Sequence, residues 1–183
     1  IRMANLVLLV IDASEGVVAS DATIAGYAYE DGRAIILVVN KWDRVTGVQQ
    51  ADFRRDLRDG LKYLDYAPVV FLSALTGDKT ETLFPLIRKV FRESRKRVTT
   101  GELNRFLETV DLNRATVPGF VKPKIYYVTQ ARAAPPTFVF FTSRDDEFHF
   151  SFERFLTNRL RERFGFEGTP IRINVKRRRK KLP

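Results

Sequence analysis

The sequence predicts an α/β domain built on a parallel sheet with helices, followed by a small α+β domain. Three short apolar runs carry the first part: Leu6-Val7-Leu8-Leu9-Val10-Ile11, Ala34-Ile35-Ile36-Leu37-Val38-Val39 and Val69-Val70-Phe71-Leu72. Unbroken apolarity over about half a dozen residues marks a strand buried on both faces, as in a parallel sheet. Segments of helical character at 20–29 and 50–64 separate the runs, the first closed by the turn pair Asp31-Gly32. Beyond residue 97 the order changes to helix, strand, strand, helix, strand, which is a separate α+β pattern.

Each further element has its own signal. A helix over 81–97 places Leu83, Ile87, Val90 and Phe91 on one stripe that covers the sheet. Leu103, Phe106, Leu107 and Val110 recur at i, i+3, i+4 and i+7 and open the second domain with a helix, which Pro118, Gly119 and Pro123 interrupt. Strands over 124–130 and 137–143 are joined through Ala133-Ala134-Pro135-Pro136. Phe152, Phe155, Leu156, Leu160 and Phe164 make one face of a second helix. Ile171-Arg172-Ile173-Asn174-Val175 alternates as a strand with one dry and one wet face. The boundary falls near 97–101, where Arg95-Lys96-Arg97 meets Thr99-Thr100-Gly101.

A formal net charge of +10 over 183 residues points to a polyanionic partner such as nucleic acid or an anionic surface. The charge is unevenly placed: residues 1–97 hold 15 Lys/Arg against 13 Asp/Glu, and residues 98–183 hold 17 against 9. The basic character therefore belongs to the second domain. With no cysteine, disulfides and thiolate metal sites are excluded, and the single histidine, His149, rules out a multi-histidine metal site. His149 reads as a strand-edge or loop residue, and no metal site is expected. No apolar run approaches the roughly 20 residues that span a bilayer, so no transmembrane helix is expected.

Asn40-Lys41-Trp42-Asp43 stands directly behind the second apolar run, and ligands of open α/β sheets bind beyond the carboxyl ends of strands. Guanine offers an N1–H and an exocyclic amine side by side, and one carboxylate accepts from both; adenine has no such pair. Asp43 is the candidate reader. Asn40 would bond the base edge or tie neighbouring loops, and the Lys41 stem would lie over the ring with its ammonium in water. Taken alone, the tetrapeptide is also an ordinary polar turn. Ser73-Ala74-Leu75, again behind an apolar run, adds a second element: a small residue at Ala74 lets backbone N–H groups approach the guanine carbonyl oxygen.

These two motifs, with Val10-Ile11-Asp12-Ala13-Ser14-Glu15-Gly16 upstream, resemble the second GTPase domain of the bacterial Der (EngA) family, the double-GTPase ribosome-assembly factors. That family follows the domain with a KH-like domain of helix, strand, strand, helix, strand order. Gly168-Thr169-Pro170-Ile171-Arg172-Ile173 resembles the approach to its last strand. The resemblance covers nearly the whole chain. It implies that 1–98 is the C-terminal part of a Ras-like or Era-like P-loop GTPase domain, 99–176 a KH-like domain and 177–183 a basic tail. It implies GTP or GDP as ligand, with Mg in the complete protein. It also implies the large ribosomal subunit, rRNA and an upstream GTPase domain as partners, a cytoplasmic setting and no membrane.

Two departures limit what the resemblance implies. No Gly-x-x-x-x-Gly-Lys-[Ser/Thr] occurs, nor an Asp-x-x-Gly before the first strand, so the phosphate lysine and the Mg ligands are missing. No catalytic residue and no GTP hydrolysis are expected of these residues alone. The start, Ile1-Arg2-Met3-Ala4 just ahead of a strand, points to a piece of a longer protein. Asp12 reads as structural, bonding a turn or a helix start. The second departure is that no Gly-x-x-Gly loop lies between two helices to clamp RNA. Gly165-Phe166-Glu167-Gly168 has the letters but reads as a helix cap and turn.

Candidate RNA contacts are Arg172 and Lys176 on the wet side of the last strand, with Arg177, Arg178, Arg179, Lys180 and Lys181. Tyr126, Tyr127, Phe138, Phe140 and Phe141 are candidate base-stacking platforms, though most are expected in the core. The alternative to a GTP-binding protein of ribosome assembly is a non-catalytic basic RNA-binding module.

Overall fold

The computed structural model describes residues 1, 3–112, 124–144 and 146–178. The chain divides into two compact units, one of Ile1–Ser94 with Glu167–Pro170 and the other of Arg95–Phe166 with Ile171–Pro183.

The first unit runs β1 (Leu6–Asp12), α1 (Ala19–Glu30), β2 (Ala34–Asn40), α2 (Gln50–Gly60), β3 (Val69–Phe71) and α3 (Leu83–Ser94). The strands lie in the order β1-β2-β3, all parallel, with Leu6 opposite Ala34, Asp12 opposite Asn40 and Val39 opposite Phe71. β2 is the central strand, and its run from Ala34 to Val39 is buried throughout. Ile35, Leu37 and Val39 join Leu9, Ile11 and Phe71 under Ala25 and Ala28 of α1 and Leu57 of α2. Ile36, Val38 and Leu72 meet Val90 of α3 on the opposite face.

β1 departs from the expectation of burial on both faces. Leu9 and Ile11 are buried, whereas Leu8 and Val10 are 37% and 55% exposed, because the apolar residues of α3 gather over β2 rather than over β1.

The helices are shorter than the pattern predicts, for local reasons. The 50–64 segment breaks after Gly60, where Leu61 leaves helical geometry at φ −127°, and a 3-10 turn follows at Lys62–Leu64. The break lets both Leu61 and Leu64 enter the core, and the Arg58 guanidinium holds the turn by donating to the Leu64 and Ala67 carbonyls. The 81–97 helix begins only at Leu83, after a 3-10 turn at Thr80–Thr82, and ends at Ser94, whose hydroxyl donates to the Phe91 carbonyl at 2.7 Å.

Residues Glu167–Pro170 complete this unit from far along the chain. β3 pairs with β2 only at Leu37, Val38 and Val39, so the Ile35 N–H on the same side donates instead to the Gly168 carbonyl at 2.7 Å. Gly168 in turn donates its N–H to the Tyr66 carbonyl at 3.0 Å, and Lys89 pairs with Glu167.

The second unit runs α4 (Thr100–Thr109), β4 (Ile125–Arg132), β5 (Thr137–Thr142), α5 (Phe150–Phe164) and β6 (Arg172–Arg177). β5 is central, antiparallel to β4 and parallel to β6. A reciprocal cap starts α4: the Thr99 hydroxyl accepts from the Glu102 N–H, and the Glu102 carboxylate accepts from the Thr99 N–H. His149 caps α5, its Nδ1 accepting from the Ser151 N–H at 3.3 Å, and Gly165 closes the same helix at φ 88°. Leu103 and Phe106 of α4 and Phe152, Leu156 and Leu160 of α5 pack with Val128, Phe138 and Phe140 of the sheet. Pro118, Gly119 and Pro123 lie outside the described residues.

Candidate functional site

Three loops leave the carboxyl ends of β1, β2 and β3, and backbone and side-chain bonds stitch them into one rim. The Ala13 N–H donates to the Asn40 carbonyl at 2.9 Å, and the Trp42 N–H to the Leu72 carbonyl at 3.2 Å. Asn40 Oδ1 accepts from the Ala74 N–H at 3.0 Å. The side chain of the first motif therefore holds the backbone of the second, 34 residues away. The Ser73 loop closes on itself: Ser73 N–H donates to the Asp78 carbonyl, Gly77 N–H to the Ser73 carbonyl, and Thr76 N–H to the Ser73 hydroxyl.

Lys41 adopts the left-handed conformation at φ 59°, ψ 31°, a backbone that non-glycine residues hold only when their surroundings enforce it. Backbone bonds on either side hold it, Trp42 N–H to the Leu72 carbonyl and Arg44 N–H to the Lys41 carbonyl, and its side chain reaches Asp12, whose Oδ2 meets Lys41 Nζ at 2.5 Å. Asp12 Oδ1 also accepts from the Ser14 N–H at 2.9 Å and the Ser14 hydroxyl at 2.6 Å. The Lys41 bond first, then the two from Ser14, hold the Asp12 carboxyl far below the ordinary carboxylate range.

Asp12 thus binds its turn, as its position suggests, and in addition fixes the lysine of the neighbouring loop. Only the register of Asp12 against Asn40 reveals that second partner.

Trp42 anchors the rim from below, its ring edge-on to Phe71 at 4.6 Å and to Phe53 at 5.6 Å. Asp43 begins no regular element; it sits in the 3-10 turn Trp42–Arg44, exposed, and no hydrogen bond engages its carboxylate among the described residues. Ala74 and Leu75 are exposed as well, Leu75 by 80%.

In the second unit, Arg172, Lys176 and Arg177 lie on β6 and Arg178 just after it, while Arg179, Lys180 and Lys181 fall outside the described residues. Lys176 and Arg177 are exposed. The aromatic residues divide: Phe138 and Phe140 are fully buried, Tyr127 and Phe141 are half-buried and stacked at 4.3 Å, and Tyr126 is 40% exposed. Gly165-Phe166-Glu167-Gly168 is a helix end and a turn, with Phe166 buried and Glu167 paired to Lys89. Among the described residues no cluster of His, Asp and Glu has a metal-holding arrangement, and no helix is long and apolar enough to cross a membrane.

A parallel sheet with covering helices, joined in sequence to a small α+β unit, is the architecture of a GTPase-like domain followed by a KH-like domain. The family model of the elongation factor Tu GTP binding domain matches residues 1–93, and that of the KH-domain-like C-terminal domain of EngA bacterial GTPase enzymes matches 97–176. The chain is 46% identical over 184 residues to GTPase Der of Citrifermentans bemidjiense, covering 99% of this chain and 42% of that one. It is 44% identical to GTPase Der of a Geobacillus species, covering 98% and 42%. The chain belongs to the Der (EngA) GTPase family. It spans about 42% of the length of these relatives. Among solved structures it is similar to translation elongation factor SelB from Methanococcus maripaludis, at 22% identity and TM-score 0.43 over 54% of this chain and 22% of that one.

Proposed function

We propose that the first unit supplies the base-reading half of a guanine-nucleotide site and the second an RNA-binding module, in a cytoplasmic protein of large ribosomal subunit assembly. The Asn40 to Ala74 hydrogen bond carries the guanine half of this proposal. It brings the loop of Asp43 and the loop of Ser73, Ala74 and Leu75 to one rim.

Asp43 accepts from the guanine N1–H and amine, and the Lys41 stem, held by Asp12, covers a face of the ring. Since Ala74 N–H is engaged by Asn40, the neighbouring Leu75 N–H is the donor left for the guanine carbonyl oxygen. GTP and GDP are the ligands. Mg and the phosphates are held by parts of the longer protein outside these residues, because the motifs for both are missing here. Arg172, Lys176, Arg177, Arg178, Arg179, Lys180 and Lys181 engage rRNA phosphates, with affinity falling as salt rises.

In the full-length protein, Asp43→Asn is expected to weaken GDP binding by about ten-fold or more, the effect of losing a charge-assisted hydrogen-bond pair. The same change is expected to strengthen xanthosine diphosphate. Xanthine carries a carbonyl where guanine carries the amine, and an asparagine amide donates to it. Displacement titrations of the two nucleotides read both effects, and an unchanged GDP affinity refutes the assignment.

A further inference from the structure

The face of the second unit's sheet turned away from α4 and α5 brings aromatic rings and cations together. Val128, Phe138, Phe140, Ile173 and Val175 point toward the helices. The alternate residues point the other way, and along one row Tyr127 of β4, Phe141 of β5 and Lys176 of β6 stand in register. Tyr127 and Phe141 stack nearly parallel, 12° apart.

Beside them the β4 register shifts by one residue between Ile125 and Tyr127, and Tyr126 is the extra residue. Two cations lie near its ring: the Arg178 guanidinium at 5.1 Å from the ring centroid and the Lys124 ammonium at 5.6 Å. Lys124, Lys176 and Arg178 are all exposed. The Arg178 N–H donates to the Thr142 carbonyl at 2.9 Å, so its backbone is fixed as an extension of β6.

Charge complementarity selects the occupant. Lys124, Lys176 and Arg178 lie in or beside the row, and the three strands carry no Asp or Glu. A polyanion is therefore attracted, yet phosphate binding alone needs no aromatic rings. Rings among cations suit a strand whose bases are unstacked and whose phosphates lie within reach. A duplex keeps its bases inside and offers Tyr126 nothing to stack on.

We propose that Tyr126, with Lys124, Arg178 and Lys176 around it, is a base-stacking site for single-stranded RNA. One base lies on the Tyr126 ring, with the Arg178 guanidinium beside it as a second planar group, and Lys124 and Lys176 neutralise the flanking phosphates. The Tyr127 and Phe141 pair supports the row from within the sheet. This rests on the RNA reading of the second unit and adds the strand state and the contact to the base.

The test measures anisotropy of a labelled ten-nucleotide single-stranded RNA, an abasic strand of equal length and a duplex, each with the whole chain. The wild-type chain is expected to prefer the base-bearing strand to the abasic one by about five- to a hundred-fold, the range for one stacked base. Tyr126→Ala is expected to remove that preference while leaving abasic affinity unchanged, and Tyr126→Phe to retain it.

Equal loss toward base-bearing and abasic strands in Tyr126→Ala, or wild-type preference for the duplex, overturns the stacking site. In those cases salt-sensitive binding that weakens in Lys176→Gln/Arg177→Gln leaves the RNA reading intact. No binding of any RNA by the wild-type chain overturns both.

Discussion

Gly168→Ala tests the way residues 167–170 complete the first sheet. Gly168 holds φ +72°, where an alanine is strained by about 1–2 kcal/mol. A Cβ built there would stand 2.6 Å and 2.9 Å from the two methyl carbons of Val90 and 3.2 Å from the Ile35 carbonyl oxygen. Val90, on α3 and facing the sheet, is fully buried, so it has little room to yield, and such overpacking costs about 1–3 kcal/mol. The alternative is for the segment to withdraw. That leaves the buried Ile35 N–H without its acceptor, at about 1–3 kcal/mol, in addition to the Gly168 to Tyr66 bond. Both routes place the loss at about 2–5 kcal/mol.

Trp42, the only tryptophan, belongs to the same unit, so urea unfolding followed by its fluorescence reads this loss directly. Gly47→Ala is the control: Gly47 has φ +74° but nothing within 4 Å of its added Cβ, so backbone strain alone applies. Equal shifts in the two variants would refute the close approach of Gly168 to Val90.

Two further outcomes concern the rim. Asn40→Ala is expected to raise hydrogen exchange at the Ala74 amide by about five-fold, as for the loss of about 1 kcal/mol, while Asn40→Asp keeps the acceptor and the protection; unchanged exchange in Asn40→Ala argues against the tie. Asp12 is held well below its unfolded value of about 3.9, so its bond to Lys41 stabilises the fold fully above that value and progressively less as pH falls below it. The urea midpoint of the wild-type chain is expected to exceed that of Asp12→Asn from pH 6 to 8 and the gap to narrow progressively as pH falls below about 4; a gap independent of pH excludes the carboxylate as its source.

The parallel sheet was legible because its strands are apolar runs too continuous for an amphipathic surface, and Ile35 to Val39 meet that rule on both faces. Leu8 and Val10 satisfy the same pattern and are nonetheless exposed, since a run of apolar letters carries no record of which helix covers it. The two loop motifs were legible from their positions behind strands. The hydrogen bond between them was one of two roles open to Asn40.

Asp12 gave away its turn through Ser14 two residues on, but its partner Lys41 lies 29 residues ahead and is set by strand register. The same limit hid the surroundings of Tyr126, which depend on a one-residue shift in β4 and on a cation more than fifty positions later. Local pattern separates helix from strand; pairing across the chain decides which side chains meet.

The polypeptide crosses between its two compact units three times: after Ser94, after Phe166 and after Pro170. Cutting the gene after residue 94 would consequently yield a product short of four residues that its own sheet employs, with the Ile35 amide facing water. Linear order and physical autonomy diverge in this molecule, and the more instructive dissection is one that retains the return passage through Gly168.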